Sequence, residues 1–387
     1  MIQAYKGTDL YNNYVQEQAS EAFNTECIGG ETYKKILLAY PCKLYTPNYF
    51  IRIALALLTI VAVLSSALLL GLLFNTTSSV EFITLFIFLA ILCYAALELL
   101  VKRKQYYNAG VDNTLMISVV TFIISAFVVN NFANQNLFIS GMSFFICLWL
   151  CIRFTDAFIG MLAYIALFAF IFLLYLKLGY FAKATAPLVM MSVSALIYVV
   201  MKKLLAKERL LVYEFCFKAA TLLTLVTFYV SGNYFAVKEM SNEMFNLQLG
   251  LNDPILFGWL FWILTLVIPP AYLFYGVRKK DFLFIRTGLA LIAATIFTVR
   301  YYYGNFPAET DMLIIGTILI TASYALIKYL HTPKHGFTFA KSSYQQKEIL
   351  NAEAMIIAQT FGKKITTESS VQFGGGTSGG GGATGDY

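Results

Sequence analysis

Long apolar runs alternate with short polar connections along most of this chain. Ten of the runs approach the length of about 17 to 25 residues that an α-helix needs to cross the hydrocarbon core of a bilayer. They cover residues 49–74, 80–101, 114–132, 136–152, 156–177, 186–202, 212–231, 254–276, 281–299 and 311–330. The pattern predicts an all-α fold, a polytopic transmembrane helix bundle of about ten spans within residues 49–330.

Short amphipathic helices are predicted at both ends of the chain. Within residues 1–48, apolar residues recur at the spacing of a helix face, at Leu10, Tyr14, Val15, Ala22 and Phe23. Gly29 and Gly30 interrupt this pattern and Pro41 ends a second helix, which predicts a cytoplasmic helical hairpin. Within residues 331–362, HTPKHG breaks the preceding helix and residues 343–361 again show helical periodicity; residues 363–387 are Gly-rich with few apolar side chains. We therefore expect a cytoplasmic amphipathic helix followed by a disordered tail.

Composition excludes a soluble domain. The chain is 59% hydrophobic and 13% charged, whereas soluble domains are roughly 45 to 50% apolar and about 25% charged. The formal net charge is +7, but the Lys and Arg residues form short clusters between apolar runs. Nucleic-acid binding would favour one continuous basic stripe. We expect no nucleic-acid partner and interpret the basic clusters as signals for membrane topology.

The distribution of basic residues predicts the orientation, because Lys and Arg near the ends of spans are retained on the cytoplasmic side. Eleven lie in the connections after spans two, four, six and eight: Lys102, Arg103, Lys104, Arg153, Lys202, Lys203, Lys207, Arg209, Arg278, Lys279 and Lys280. Four lie in the opposite connections: Lys177, Lys183, Lys238 and Arg300. Both termini are therefore predicted to be cytoplasmic.

The stretch LYTPNYFIRIALALLT at 44–59 joins the helical prelude to the first span. In this layout the chain resembles uncharacterised bacterial polytopic inner-membrane protein families. The resemblance implies a multi-pass protein of the cell inner membrane. These families have no established activity, so the resemblance assigns no catalytic or binding residue.

Among the charged residues inside predicted spans, Glu98, Glu214, Lys218 and Arg286 are singled out. Burying a charge in a membrane is costly, so such residues are candidates for function. One interpretation makes the four a polar cluster that closes a cytoplasmic vestibule. The other makes them interface anchors and local ion pairs, with Glu98 one turn from Lys102 and Glu214 paired with Lys218. Each is within reach of the cytoplasmic interface, which favours the second interpretation.

Adjacent prolines, Pro269 and Pro270, lie in predicted span eight. They remove two backbone donors, so a bend or break is predicted, and the carbonyls of Thr265 and Leu266 need other partners. Broken helices mark substrate sites in some transporters, although a simple kink is the more common outcome. Neutral polar residues elsewhere in the spans, such as Thr221 and Thr224, are predicted to tie helices together.

No sequence motif indicates an enzyme. The Cys residues inside the spans have no metal-ligand spacing, and no nucleotide-binding motif or nucleophile elbow appears. We expect no cofactor and no metal. The leading hypothesis is a non-enzymatic scaffold, sensor or accessory subunit that acts on a protein partner through its cytoplasmic helices. The alternative is a transporter of a neutral or amphiphilic small molecule, with Pro269 and Pro270 beside its route.

The predicted topology has a direct test by cysteine labelling in sealed cells. Ser78→Cys lies between spans one and two and should react only from outside. Lys364→Cys lies in the tail and should react only after the membrane is permeabilised. Reaction of both positions from the same side contradicts the topology.

Overall fold

A computed structural model describes residues 3–25, 27–74, 78–129, 134–245, 250 and 253–303, together with isolated helical positions between 313 and 328. Within this part of the chain the protein is a helical bundle with no strand beyond one isolated bridge. Nine of its helices are long and apolar enough to cross a membrane. The predicted multi-pass helical fold is therefore confirmed.

Twelve α-helices follow one another in the described residues. The first two are α1 (Gly7–Asn24) and α2 (Gly30–Ala39). The others are α3 (Tyr49–Leu73), α4 (Ser79–Lys104), α5 (Val111–Val128), α6 (Gln135–Phe154), α7 (Ala157–Leu176), α8 (Tyr180–Leu205), α9 (Glu214–Gly232), α10 (Tyr234–Phe245), α11 (Gly258–Lys279) and α12 (Phe282–Tyr303). All but α1, α2 and α10 correspond to predicted spans. The tenth predicted span, residues 311–330, lies largely outside the described residues, and so do the predicted helix at 331–362 and the tail at 363–387.

The N-terminal hairpin has the two helices that the sequence predicts. Aromatic contacts join them, since the rings of Phe23 and Tyr33 stack with centroids 4.8 Å apart. Side-chain amides of α1 also bind carbonyls just beyond α2: Asn12 donates to Pro41 at 2.8 Å and Gln16 donates to Tyr40 at 2.7 Å. These bonds fix the angle at which the chain leaves the hairpin.

Backbone hydrogen bonds fasten the N-terminal segment to one end of the bundle. The amide of Ala4 donates to the carbonyl of Arg153 at 2.9 Å. Tyr45 donates to Gln105 at 2.8 Å and accepts from Tyr107 at 3.2 Å. The ends of α4, α6, α8 and α11, with the residues that directly follow them, carry the eleven clustered basic residues. We call this end the basic face.

The first span, α3, lies at the periphery of the bundle. No residue of α3 is buried, and its exposed side is lined by Leu and other apolar residues. Only a stripe of half-buried positions contacts the rest of the protein. Its closest approach is at the basic face, where Gly110 (φ +91°) packs so tightly that an added Cβ would lie 2.2 Å from the carbonyl oxygen of Arg52. The lipid-facing side of α3 therefore needs no protein neighbour.

The connection between the predicted spans at 212–231 and 254–276 contains a helix. α9 ends at Gly232, Asn233 is extended, and α10 begins at Tyr234. Asn233 acts as the N-cap, because its side-chain oxygen accepts from the amide of Ala236 at 3.1 Å. The sequence of this segment is less apolar than a span, which is why it did not register as a long run.

Hydroxyl groups tie α7, α8 and α9 together, but not through the residues predicted to do so. Thr221 and Thr224 direct their hydroxyls to carbonyls of their own helix. The contacts between helices come from Tyr164, Ser194 and Thr227, whose hydroxyl oxygens lie 2.6 to 3.0 Å apart. A hydroxyl in a membrane helix satisfies itself on the preceding turn unless a partner faces it.

Gly110→Ala should destabilise the protein, because the new Cβ meets Arg52 backbone and the positive φ is unfavourable for Ala. We expect a loss of more than about 2 kcal/mol, measured as thermal stability in detergent. Gly179→Ala is the control: Gly179 also has positive φ (+97°), but nothing lies within 4 Å of the position that an added Cβ would take. Equal losses in the two variants would contradict the close packing of the 105–110 connection on α3.

Candidate functional site

A cluster of buried polar side chains lies where the N-terminal segment meets the basic face. It consists of Tyr5, Tyr107, Asp112 and Asp156, and we call it the docking cluster. Tyr5 is only 2% exposed. Its hydroxyl donates to the carbonyl of Tyr106 at 2.7 Å, and its ring packs edge-on against Tyr107 with centroids 5.3 Å apart. Burial, followed by the nearby carboxylates, raises the pKa of Tyr5, so Tyr5 stays a neutral donor.

Two carboxylates of the docking cluster are buried at the starts of neighbouring helices. Asp112 accepts from the amide of Ala109 at 2.9 Å, which closes the turn into α5. Asp156 caps α7 by accepting from the amide of Ile159 at 2.8 Å, and it also accepts from the side-chain amide of Asn113. Burial raises the pKa of Asp156, and the charge of Asp112 acts in the same direction. Both carboxylates are thus buried beneath the N-terminal segment, and each accepts a backbone amide.

Glu98 has a different partner from the one predicted. The sequence placed Lys102 one turn away, but Glu98 binds Arg153 of α6 through both carboxylate oxygens. The Nη2–Oε2 distance is 2.8 Å. Spacing along one helix cannot reveal a partner on another helix, and a guanidinium binds a carboxylate with two parallel bonds where an ammonium binds with one. This pair joins α4 to α6 directly below the Ala4–Arg153 backbone bond.

Glu214 and Lys218 form the predicted ion pair, with an N–O distance of 2.5 Å. The structure adds a third member from α1. Hydrogen bonding to Glu214 raises the pKa of Tyr14 to about 12. Glu214 therefore connects the start of α9 with the N-terminal hairpin.

The four predicted residues do not form one vestibule in the described part of the chain. Glu98 with Arg153 and Glu214 with Lys218 are two separate ion pairs. Arg286 is exposed on α12, and no bond among the described residues joins it to the other three. What unites the two pairs is contact with the N-terminal segment, through Ala4 and Tyr14 respectively.

α11 continues as a helix through Pro269 and Pro270, so the chain does not break there, and the bend that the sequence also predicts stays a prediction. The reason is a partner for the carbonyl of Thr265, which Pro269 leaves without its usual donor. The hydroxyl of Thr295 on α12 lies 3.2 Å from this carbonyl oxygen. A neighbouring helix thus brings a donor to the carbonyl of Thr265, and the same hydroxyl also lies 3.0 Å from the carbonyl of Leu291 in its own helix.

The helical conformation is interrupted between α9 and α10, and a buried polar network surrounds that point. The side-chain amide of Asn233 donates to Tyr229 at 2.9 Å and to Thr298 at 3.0 Å. The amide of Tyr234 donates to the hydroxyl of Thr265 at 2.9 Å. Each of these groups has a protein partner, so the network is suited to holding α9, α10, α11 and α12 together.

A pocket of about 160 Å³ lies beside this interruption, between α7, α8, α9 and α10. Its lining is apolar and includes Phe168, Phe172, Pro187, Met190, Ala236 and Met240. None of the described side chains that line it is charged. Such a lining suits an acyl chain or another apolar group and not a polar solute.

Thr295→Val should destabilise the protein by about 1 to 3 kcal/mol, because it leaves the buried carbonyl of Thr265 without a partner. Thr287→Val is the control on the same helix, since its hydroxyl, like that of Thr295, binds a carbonyl of its own helix but reaches no other helix among the described residues. Pro269→Ala restores the amide donor, so Thr295→Val should cost less stability in that background than in the wild-type protein. The measurement is thermal stability in detergent for the whole cycle. If Thr295→Val costs the same stability in both backgrounds, Thr295 does not compensate for the donor that Pro269 removes.

Asp156→Asn should gain stability relative to wild type as pH rises. Because the pKa of Asp156 is raised on folding, its stabilising effect is present below the unfolded pKa of about 3.9 and is lost as pH rises through the folded value. Asn keeps the cap, and Asn113, whose side-chain oxygen is buried without a partner among the described residues, can rotate to accept from it.

The measurement is the difference in melting temperature between Asp156→Asn and wild type, followed from acidic to neutral pH. Asp253→Asn removes an exposed carboxylate and serves as the control. A difference that stays constant with pH, or that falls as pH rises, would contradict the raised pKa.

The basic face and the α9–α10 interruption are thus the two candidate sites of the described chain. Comparison with protein-family models, with curated proteins and with solved structures finds no match. Any function assigned to this chain therefore rests on its own geometry.

Proposed function

We propose that this protein is a non-enzymatic scaffold, sensor or accessory subunit of a cell inner membrane. It acts through the helices on its basic face, which lies in the cytoplasm with both termini. The observation that carries this proposal is the attachment of the N-terminal segment. Ala4, Tyr14 and Tyr45 bind groups at the ends of the spans, so the hairpin is part of the transmembrane body.

A rigid attachment matters for a scaffold, because a partner that binds the hairpin then senses the position of the spans. Tyr5 and Leu10 belong to the same buried core as Leu97, Val101 and Phe154 at the ends of α4 and α6. A displacement of these spans therefore moves α1. A flexible tether would transmit no such displacement.

The surface offered to a protein partner is the exposed side of α1. Tyr11, Gln18 and Glu21 lie there at helical spacing and are exposed. The stripe is polar and acidic with one aromatic ring, which is suited to a basic or amphipathic partner and unsuited to insertion among lipid chains. The opposite side of α1 is the buried one, through Asp9, Asn13 and Ala19.

Photo-crosslinking in native membranes tests the proposal. A benzophenone amino acid at position 18 should give one discrete adduct with a protein partner. The same group at Leu178, which is exposed in the connection at the opposite end of the bundle, is the control. Glu21→Lys should abolish the adduct at position 18 without changing the amount of protein in the membrane.

Two outcomes would contradict the proposal. One is the absence of a specific adduct at position 18. The other is the same adduct pattern at positions 18 and 178, insensitive to Glu21→Lys, which would indicate random collision in the membrane.

Transport of an amphiphilic small molecule is the second candidate, and the apolar pocket beside the α9–α10 interruption favours it. The route would pass that pocket and not Pro269 and Pro270, where the helix is continuous. Reconstituted protein should then accelerate the flip of NBD-labelled phosphatidylcholine across vesicles. Ala236→Trp, which fills the pocket, should slow it. No acceleration over protein-free vesicles would remove support for movement of this class of lipid.

A further inference from the structure

We propose that α2 lies on the membrane surface and binds the headgroups of anionic lipids. Lys34, Lys35 and Lys43 supply the positive charge, and Leu38 inserts at the level of the headgroups. This surface is distinct from the side of α1 proposed above for a protein partner.

The exposed side of α2 has the character of an interfacial helix. No residue of α2 is buried, and Leu38 is 82% exposed. Lys34 is one turn before Leu38 and Lys35 lies beside both, so two cations flank one large apolar side chain. Tyr33 and Tyr40 face the other way, where their rings contact Phe23 and Tyr11 of α1. Because Tyr33 and Tyr40 pack against α1, Leu38 lies on the opposite, exposed side of α2.

The connections of α2 place it at the edge of the bilayer. Tyr45, six residues after the end of α2, binds Gln105 immediately beyond the last turn of α4. α3 begins at Tyr49, and both Tyr49 and Phe50 are exposed as expected of residues at the lipid interface. α2 therefore lies next to the level at which two spans end.

The positive charge around α2 favours anionic lipid as the molecule that binds there. Lys43 lies two residues before Tyr45, and the partner of Tyr45 follows Lys102, Arg103 and Lys104 directly. Lys34 and Lys35 are exposed on α2, whose one acidic residue is Glu31, so the chain from α2 to Tyr45 carries a net positive charge toward a basic span end. Amphipathic segments with basic residues near a membrane bind anionic headgroups. An exposed Leu beside Lys side chains suits lipid, because the Lys stems reach headgroups while the Leu leaves water.

The test uses the full-length protein with an NBD label on Cys at position 38, in a Cys27→Ser background that removes the exposed native thiol. The protein is reconstituted in vesicles of phosphatidylcholine alone or of equal parts phosphatidylcholine and phosphatidylglycerol. In the anionic vesicles the label should be shielded several-fold from iodide in solution and quenched by lipid-borne doxyl groups near the headgroups. The same label on Cys at position 18 of α1 is the control and should remain open to iodide.

The charges are tested by replacing Lys34, Lys35 and Lys43 with Gln, and by raising the salt concentration. Both changes should return position 38 toward the iodide quenching seen in neutral vesicles. Equal shielding in neutral and anionic vesicles would overturn the role of the cations.

Three further outcomes separate lipid from other occupants. Iodide quenching at position 38 as strong as at position 18 would overturn the membrane contact. Shielding that persists in detergent, with a crosslink from position 38 to another protein, would assign the surface to a protein partner. A crosslink to residues 331–387 of the same chain would assign it to that segment. The last two results overturn this inference and leave the proposed partner site on α1 to its own test.

Discussion

Polar groups that leave water must find partners inside the protein, and within a membrane no solvent can substitute. Much of this bundle follows from that requirement. The carbonyl of Thr265, which Pro269 leaves without a donor, is within reach of the Thr295 hydroxyl. The chain turns from α9 into α10 because Asn233 can cap the new helix and bind Tyr229 at the same time. At both of these points a side chain takes over a bond that the regular helix cannot make.

The same requirement explains how the N-terminal segment is held. Its entry to the bundle is polar: the Ala4 amide, the Tyr5 hydroxyl and the backbone of Tyr45 all bind carbonyls or amides at the ends of spans. Apolar packing then surrounds these bonds, with Tyr5 and Leu10 inside the main core. Hydrogen bonds in such surroundings are stronger than in water and fix a geometry that apolar contact alone leaves loose. The hairpin therefore belongs to the bundle in stability as well as in position.

Local sequence patterns predicted what depends on neighbouring positions of one segment. The nine described spans, the two N-terminal helices and the Glu214–Lys218 pair each follow from periodicity or spacing within a helix. The failures involve contacts between segments. Glu98 pairs with Arg153, which is 55 positions away, and Pro269 is accommodated by a residue of α12. A single sequence carries no signal for either pairing.

The docking cluster contains both kinds of residue, two that the sequence could have indicated and one that it could not. Asp156 directly precedes the apolar run of α7 and Asp112 lies in the first turn of α5, so an N-cap analysis of the span starts could have singled out both. Tyr5 has no such signal. It is one of 26 Tyr residues and lies before the first helix, and only the three-dimensional structure distinguishes it. The attachment of the N-terminal segment to the basic face includes this contact, which the sequence does not indicate.

Hydrogen exchange of the full-length protein in lipid nanodiscs tests the central claim that the N-terminal segment is part of the bundle. The amides of Ala4 and Tyr45 donate to Arg153 and Gln105, so both should exchange far more slowly than an unstructured peptide. Tyr5→Ala should release the protection at Ala4 while α4 remains protected. Exchange of Ala4 and Tyr45 in the wild-type protein at the rate of an unstructured peptide, with α4 protected, would contradict the account.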